Sequence, residues 1–430
     1  MLTDVYIGGT MTAETQETER HDEPGGFGRK GADKMDIEGI RVWDGERERG
    51  LMNVHVESGR IVGMDPAEAD QYSGLSLIPG LIDTHVHLGA YAGSEPVDER
   101  YWRLVTPLEE QTLHAAAQAQ KALAVGVTTL RDMASREIEV AVARAFAADV
   151  LVGPRVLTHG WISMTAGHGD LITPPGFPVR PPTADEPAAC RRMVREYARM
   201  GVNGIKTFTS GGVSSIGDRN EWRNFTAEEL AAIVDEAHAL GLPVAAHTHT
   251  EAGITAALEA GVDSLEHATA ITAQQARIAA ERGVTVAPTL LVIERIASGA
   301  VPMPTDSRQK AQTLLPGRDA AFRNALELGT SFVLGTDAWG AMLPLGSEWA
   351  ELAAMVSRIG MSPEDALRAA TSRAARAVGL ADRIGRVAPG YDADLVLVQG
   401  MPWQTAEDID AHRVKAVWRR GTLVSGHWES

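Results

Sequence analysis

At 430 residues, with 44% hydrophobic and 23% charged side chains, the chain can bury a large core and is too apolar for wholesale disorder. Its net charge of −17, spread along the sequence, excludes nucleic acid and anionic membrane as partners, since both would be repelled. Cys190 is the single cysteine, so any metal must be held by His, Asp, Glu or a modified Lys rather than by a thiolate cluster, and no intramolecular disulfide can form.

Residues 1–36 are polar and glycine-rich without sustained periodicity, which reads as an N-terminal extension; Val5-Tyr6-Ile7 could add an edge strand. They carry no basic-then-apolar signal pattern, and no apolar run in the chain approaches the roughly 18 residues that cross a bilayer, so a cytoplasmic protein without membrane contact is expected. From Ile37 the texture changes. Ile40–Trp43, Asn53–Glu57 and Arg60–Met64 are short strand-like runs separated by Asp44-Gly45 and Ser58-Gly59 turns, a small β unit.

Leu77–Leu88 reads as one apolar strand, kinked at Pro79-Gly80, that delivers His85 and His87 at its end. Strand side chains alternate faces with period two, so the two imidazoles share a side and can hold one metal ion together. With 13 histidines in the chain the pair alone is weak evidence, and it gains weight only if other strands deliver ligand-type residues to the same place.

Beyond His87, helices and strands alternate. Helix 108–124 precedes strand 127–132, helix 138–148 precedes strand 155–159, and helix 187–200 precedes strand 204–208. Helix 227–240, opened by a Thr226 cap with Glu229 three residues on, precedes strand 244–247. Strands at 264–267, 284–288 and 332–337 complete the run, with helices between. Gly160–Thr183 is a long aperiodic segment, and loops of that length in compact domains are usually functional. Eight strands alternating with helices predict an α/β fold, a (β/α)8 TIM-like barrel over residues 77–379, whose chemistry belongs at the C-terminal strand ends. After helices at 347–358 and 363–378, β texture returns at 385–398 and 414–424. Residues 380–430 have too few residues for a domain of their own and are expected to join residues 37–76 in a small β-sandwich built from both chain ends.

The predicted strand ends collect one class of residue. The first offers His85 and His87, the fourth Lys206, the fifth His247, the sixth His267 and the eighth Asp337. Each alone has a plain structural reading, Lys206 on the surface or Asp337 as a helix cap. Six such residues at one end of alternating elements argue for a metal site.

With these motifs the chain resembles the amidohydrolase superfamily from about Ile37 to Trp428. The resemblance rests on Pro79-Gly-Leu-Ile-Asp-Thr-His-Val-His87, Lys206, His247, Ser264-Leu-Glu-His267, Gly335-Thr-Asp337 and Gly390-Tyr-Asp-Ala-Asp-Leu395. Ala166-Gly-His-Gly-Asp170, the run from Ile205 to Val213 and Ala287-Pro-Thr-Leu290 look like the branch of binuclear Xaa-Pro and Xaa-Arg/Lys dipeptidases, whose relatives cleave xenobiotic amides, ureas and carbamates. The resemblance implies hydrolysis of an amide-type C–N bond by a hydroxide bridging two divalent ions, with zinc expected. It further implies that Lys206, carboxylated by CO2, bridges the two ions. His85, His87 and Asp337 would hold one of them and His247 and His267 the other, while Asp337 also shuttles a proton to the leaving nitrogen. His168 would hydrogen-bond the substrate carbonyl.

Phe225 departs from the branch, where a tyrosine often stands before the residue that caps this helix; its lack of a hydroxyl points away from a plain dipeptidase and towards an apolar substrate. Trp161, Trp222 and Trp339 could line such a pocket. His249 reads as a helix-start residue at the pocket's edge. The alternatives are an Xaa-Pro dipeptidase proper and a mononuclear deaminase or cyclic amidohydrolase of the same superfamily. Beyond a small-molecule substrate, no partner is expected except further copies of the chain, in a homo-oligomer.

Overall fold

The computed structural model describes residues 34–95 and 97–428, and the edge strand expected at Val5–Ile7 lies outside them. Fifteen strands follow in chain order. They are β1 (Lys34–Trp43), β2 (Glu48–Glu57), β3 (Arg60–Pro66), β4 (Leu75–Pro79), β5 (Leu81–Val86), β6 (Val127–Ser135), β7 (Arg155–Trp161) and β8 (Gly204–Phe208). Then come β9 (Val244–Thr248), β10 (Ser264–His267), β11 (Thr285–Ala287), β12 (Ser331–Phe332), β13 (Leu395–Gln399), β14 (Val414–Arg419) and β15 (Thr422–Gly426).

Strands from both ends of the described chain make one seven-stranded sheet, ordered β15-β14-β13-β4-β1-β2-β3. β4 is the seam, parallel to β1 and antiparallel to β13. Alternating residues such as Val54, Val56, Leu395 and Leu397 fill its interior with Trp418. The sheet curls until β3 meets the loop ahead of β13, where Ile61 N–H donates to Tyr391 O at 2.9 Å and Ala393 N–H to Gly59 O at 2.9 Å. The sandwich expected from the two ends is therefore one continuous curled sheet. It begins earlier than the sequence suggested, since β1 starts at Lys34 and pairs Asp36 with His55.

β5 to β12 form the second sheet, eight strands in sequence order with every paired neighbour parallel. Its two edges are joined by hydrogen bonds from Thr84 N–H to Leu334 O at 2.9 Å, His87 N–H to Ala338 O at 2.9 Å and Asp337 N–H to His85 O at 2.7 Å. This curled, parallel α/β arrangement is consistent with a TIM-like barrel. The helix at Ala227–Ala239 opens as its sequence predicts: Thr226 Oγ1 accepts from Glu229 N–H at 3.3 Å, and Glu229 Oε2 accepts from Thr226 N–H at 2.7 Å. Among the described residues no helix is long and apolar enough to cross a membrane.

Three further differences from the sequence reading bear on the site, each for a local reason. Leu77–Leu88 is two strands in two sheets, parted at Gly80, where a Cβ would lie 2.2 Å from Thr128 Oγ1; only glycine lets the chain cross there. The last barrel strand shrinks to Ser331–Phe332, because the segment carrying Asp337 leaves the ladder to reach β5. The final helical stretch breaks at Thr371 into Pro363–Ala370 and Ser372–Ala377.

Candidate active site

The C-terminal ends of β5, β8, β9 and β10, with the segment after β12, bring the histidines together. His85 and His87 lie on either side of Asp337, with Nε2 to Oδ1 distances of 3.5 and 3.0 Å. A second group, His247, His249 and His267, is buried alongside. The ring centroids of His85 and His267 are 5.2 Å apart, those of His249 and His267 4.6 Å, and those of His247 and His168 4.3 Å, so the imidazoles form one contiguous array. Within each group of three, one donor atom per residue lies within 4.8 Å of the others, close enough to converge on one ion.

Two of these residues sit in the left-handed region, His267 at φ +70° and Asp337 at φ +56°. Such conformations cost about 1–3 kcal/mol each in non-glycine residues and recur at functional sites. Ser264 and Glu266 share one side of β10, joined through Ser264 Oγ at 2.7 Å, and the positive φ falls on His267, the residue that follows them.

Glu266 is fully buried and orients the first group. Its carboxylate lies 2.7 Å from His85 Nδ1, accepts from Arg131 at 2.9 Å and from Ser264 Oγ at 2.7 Å. Burial alone would raise its pKa, but Arg131, His85 and Lys206 hold it well below the usual carboxylate range. An ionised Glu266 fixes the hydrogen of His85 on Nδ1 and leaves the Nε2 lone pair towards Asp337. In the second group, His249 Nδ1 is 2.8 Å from Thr269 Oγ1 and His267 Nδ1 is 2.6 Å from Thr289 Oγ1.

Burial pulls His85 down to about 4 and His249 to about 3, and pushes His247 and His267 well below the ordinary imidazole value, so all four are neutral at pH 7. Neutral imidazole is the form that binds a metal ion. Burial would raise Asp337, but His85, His87 and Lys206 outweigh it and leave the carboxyl ionised, with a pKa of about 2.

Lys206 is 2% exposed on β8, and among the described residues its amine has neither a hydrogen bond nor an ion pair. Its Nζ lies 6.0 Å from the centroid of the Phe208 ring. Burial lowers it to about 8, against the pull of Glu266 and Asp337. Its charge also depresses His85, His247, His249 and His267, so it is felt by both groups. A buried cation beside neutral imidazoles, with no paired counter-charge, has no structural rationale as a plain lysine.

His168 reaches the site from the long loop after β7. Its ring stacks on His247, and its Nδ1 lies 2.7 Å from Ser215 Oγ. Gly212 makes room for it, since a Cβ there would meet the ring at 2.2 Å. Behind Ser215, Asp218 already receives hydrogen bonds from Lys310 Nζ at 2.8 Å and Gly212 N–H at 3.1 Å. The Ser215 hydroxyl donates to Asp218 Oδ2 at 2.7 Å, so its oxygen accepts from His168 Nδ1–H and the Nε2 of the neutral ring is left as an acceptor.

The cleft is lined by both histidine groups, Lys206, His168, Trp161 and Trp339, with Val213, Val292, Ile293, Ile296 and Met342 as its apolar wall. The sequence expectations for the substrate side thus divide. Trp161 and Trp339 line the cleft. Phe225 does not: it is 2% exposed, at φ +64°, and packs into the main hydrophobic core. Trp222, 45% exposed, is also absent from the lining. His249 is no mere helix-start residue, because Thr250 caps the helix at Glu251–Ala260 and leaves His249 buried among the imidazoles. The sequence reading gave no role to Glu266, Arg131, Ser215 or Asp218; Glu266 and Arg131 were visible only as charged residues inside apolar strands.

The fold and this cluster define a hydrolase of carbon–nitrogen bonds, and the chain belongs to the amidohydrolase family, whose sequence profile matches residues 76–426. It is 34% identical over 379 residues to ochratoxinase of Aspergillus niger, a match covering 81% of this chain and 76% of that protein. The crystal structure of A. niger ochratoxinase superposes with a TM-score of 0.80 at 30% identity, covering 92% of this chain and 96% of that one. A crystal structure of an Xaa-Pro dipeptidase with methionine bound in its active site gives 0.81 at 28% identity, covering 91% and 100%.

Proposed function

We propose that the protein hydrolyses an amide-type C–N bond, in an amide, peptide, urea or carbamate, using two divalent metal ions, zinc by the chemistry of the donors, and a carboxylated Lys206. The observation that carries this reading is Lys206 itself, a buried amine without an ion pair whose charge reaches two groups of metal-ligand side chains. Carboxylation turns it into an anion with two oxygens, which suits a position between cations. His85, His87 and Asp337 would hold one ion, and His267 with His247 and His249 the other. Bound divalent ions supply an ionised water near neutral pH and an electrophile for the carbonyl oxygen.

The chain's own residues do the rest. Asp337, ionised and 3.0 Å from His87, accepts the water proton and returns it to the leaving nitrogen. His168 would hydrogen-bond the carbonyl oxygen as charge develops there, a role that requires a hydrogen on Nε2 in addition to the Nδ1–H given to Ser215. Glu266 holds His85 in one tautomer throughout. Similarity to ochratoxinase and to the Xaa-Pro dipeptidase supports an amide or peptide bond as the target.

The reading is tested by incubating zinc-loaded protein with dipeptides, N-acyl amino acids, aryl ureas and carbamates and measuring amine release. Cleavage confined to C–N bonds of an acyl or carbamoyl group is expected; deamination of a ring amine without amide cleavage would overturn it. Within the reactive class, His168→Asn should lower kcat by about 2–4 kcal/mol of barrier while metal content and KM change little. Loss of metal in step with activity would place His168 among the ligands instead.

A further inference from the structure

The Ser215 hydroxyl decides which way the hydrogen bonds behind His168 run. It has three neighbours: His168 Nδ1 at 2.7 Å, Asp218 Oδ2 at 2.7 Å and Gly212 O at 3.0 Å. Burial would raise Asp218, but Lys310, His168 and Ser215 outweigh it and hold the carboxyl below its ordinary value, so it is ionised and can only accept. Turning the hydroxyl hydrogen to the ring would leave two oxygens facing each other at 2.7 Å with no hydrogen between them. The hydrogen therefore points away from His168, and the ring gives up its Nδ1–H to hold Ser215 Oγ. The rest of the ring is fixed too. It stacks on His247, meets Phe208 edge-on at 5.2 Å between centroids, and its backbone carbonyl accepts from Ser163 Oγ at 2.7 Å.

This chain is anchored on a different part of the fold. Lys310, on the helix Thr305–Leu314, donates to Asp218 Oδ1 at 2.8 Å and to Ser215 O at 2.7 Å, and Asn220 Nδ2 donates to Lys310 O at 3.2 Å. Asp306, at 3.3 Å on the same helix, is the outer partner of the ammonium. Ala311 and Leu314 of this helix pack with Val292, Ile293 and Ile296, the apolar wall of the cleft. Lys310 and Asp218 are both buried, and an apolar pair of similar size would hold the loop without the cost of desolvating two charges. What an apolar pair could not do is set the direction of a hydroxyl.

We propose that Asp218 is a positioning residue for His168. It fixes the Ser215 hydroxyl, whose oxygen then holds the ring by its Nδ1–H and leaves Nε2 as the nitrogen available to a ligand in the cleft; Lys310 keeps Asp218 in place. What this says of catalytic rate rests on the amide-hydrolase reading, whereas the orientation of the ring does not.

The test has two arms. In zinc-loaded protein labelled with 15N-histidine, the ring signals of His168 are those that vanish in His168→Asn, and they should show the hydrogen on Nδ1. Ser215→Ala removes the acceptor and should move that hydrogen to Nε2 or leave a mixture. A hydrogen on Nε2 alone in the unaltered protein, or a His168 spectrum indifferent to Ser215→Ala, would overturn the proposal. In the kinetic arm, Ser215→Ala and Asp218→Asn should each lower kcat about 10-fold with little change in KM, as the loss of one hydrogen bond would. Neither should lower it further in a His168→Asn background, because both act through the ring. Losses that simply multiply with that of His168→Asn would reduce Ser215 and Asp218 to loop closure and refute the assignment. Should Asp218→Asn loosen the loop, Ser215→Ala, which leaves the Lys310–Asp218 pair intact, carries the test. If no amide is cleaved, the amide-hydrolase reading is what fails, and the histidine spectra alone decide on the positioning chain.

Discussion

Replacing Lys206 with alanine is expected to lower kcat/KM at least about 10³-fold, or about 4 kcal/mol of barrier, and acetate or propionate in the buffer should restore part of it. The side chain is buried without an ion pair, and burial has already brought its amine to about 8, so an uncharged amine able to take up CO2 is accessible near neutral pH. The carbamate so formed would put an anion between the two histidine groups, and truncation would remove that bridge. A small carboxylate entering the vacated cavity supplies the same two oxygens. Rescue should rise with acid concentration and fall for acids too bulky for the cavity. Near-normal rate and metal content in Lys206→Ala would return this residue to a structural role and rule out a carbamate bridge.

Glu266→Gln should be the most damaging substitution that touches no substrate. The carboxylate answers the Arg131 guanidinium at 2.9 Å and His85 Nδ1 at 2.7 Å, deep between the strands. Glutamine keeps the shape and removes the charge, leaving Arg131 buried and uncompensated; breaking a buried pair in this way costs about 3–5 kcal/mol. His85 also loses the acceptor that fixes its tautomer, and losing such a supporting partner typically weakens metal binding about 10- to 100-fold. A lower melting temperature and easier loss of metal on dialysis should therefore appear together. An unchanged melting temperature would show that Arg131 finds another counter-charge, and unchanged metal retention would show that His85 does not depend on Glu266.

Much of the site was legible in the sequence because metal ligands are polar residues at the ends of apolar runs, and that contrast survives without coordinates. His85, Lys206, His247 and His267 lie on strands that the sequence marked, whereas His87 follows the end of β5 and Asp337 sits on the segment beyond β12. The partners that hold them were not legible. His85 meets Glu266 from 181 positions away, and Arg131 reaches it from a third strand. Pattern within a window carries no such pairing. His249 was misjudged because its distance from His247 suits a helix start as well as a continuing strand, and only the Thr250 cap decides between them. Phe225 was misjudged for a backbone reason: its left-handed φ places it in the core beside Met164, whose Sδ is 2.8 Å from its N–H. Gly80 hid a change of sheet inside one apolar run, since both halves are buried and so equally hydrophobic.

The most direct measurement is metal stoichiometry against activity. Apo-protein prepared by chelation, then titrated with zinc in the presence of bicarbonate, should gain activity until about two equivalents per chain are bound and no further, with elemental analysis of the active protein giving the same ratio. Full activity at a single equivalent, reproducible across preparations, would contradict a centre shared by the His85–His87–Asp337 and His247–His249–His267 groups.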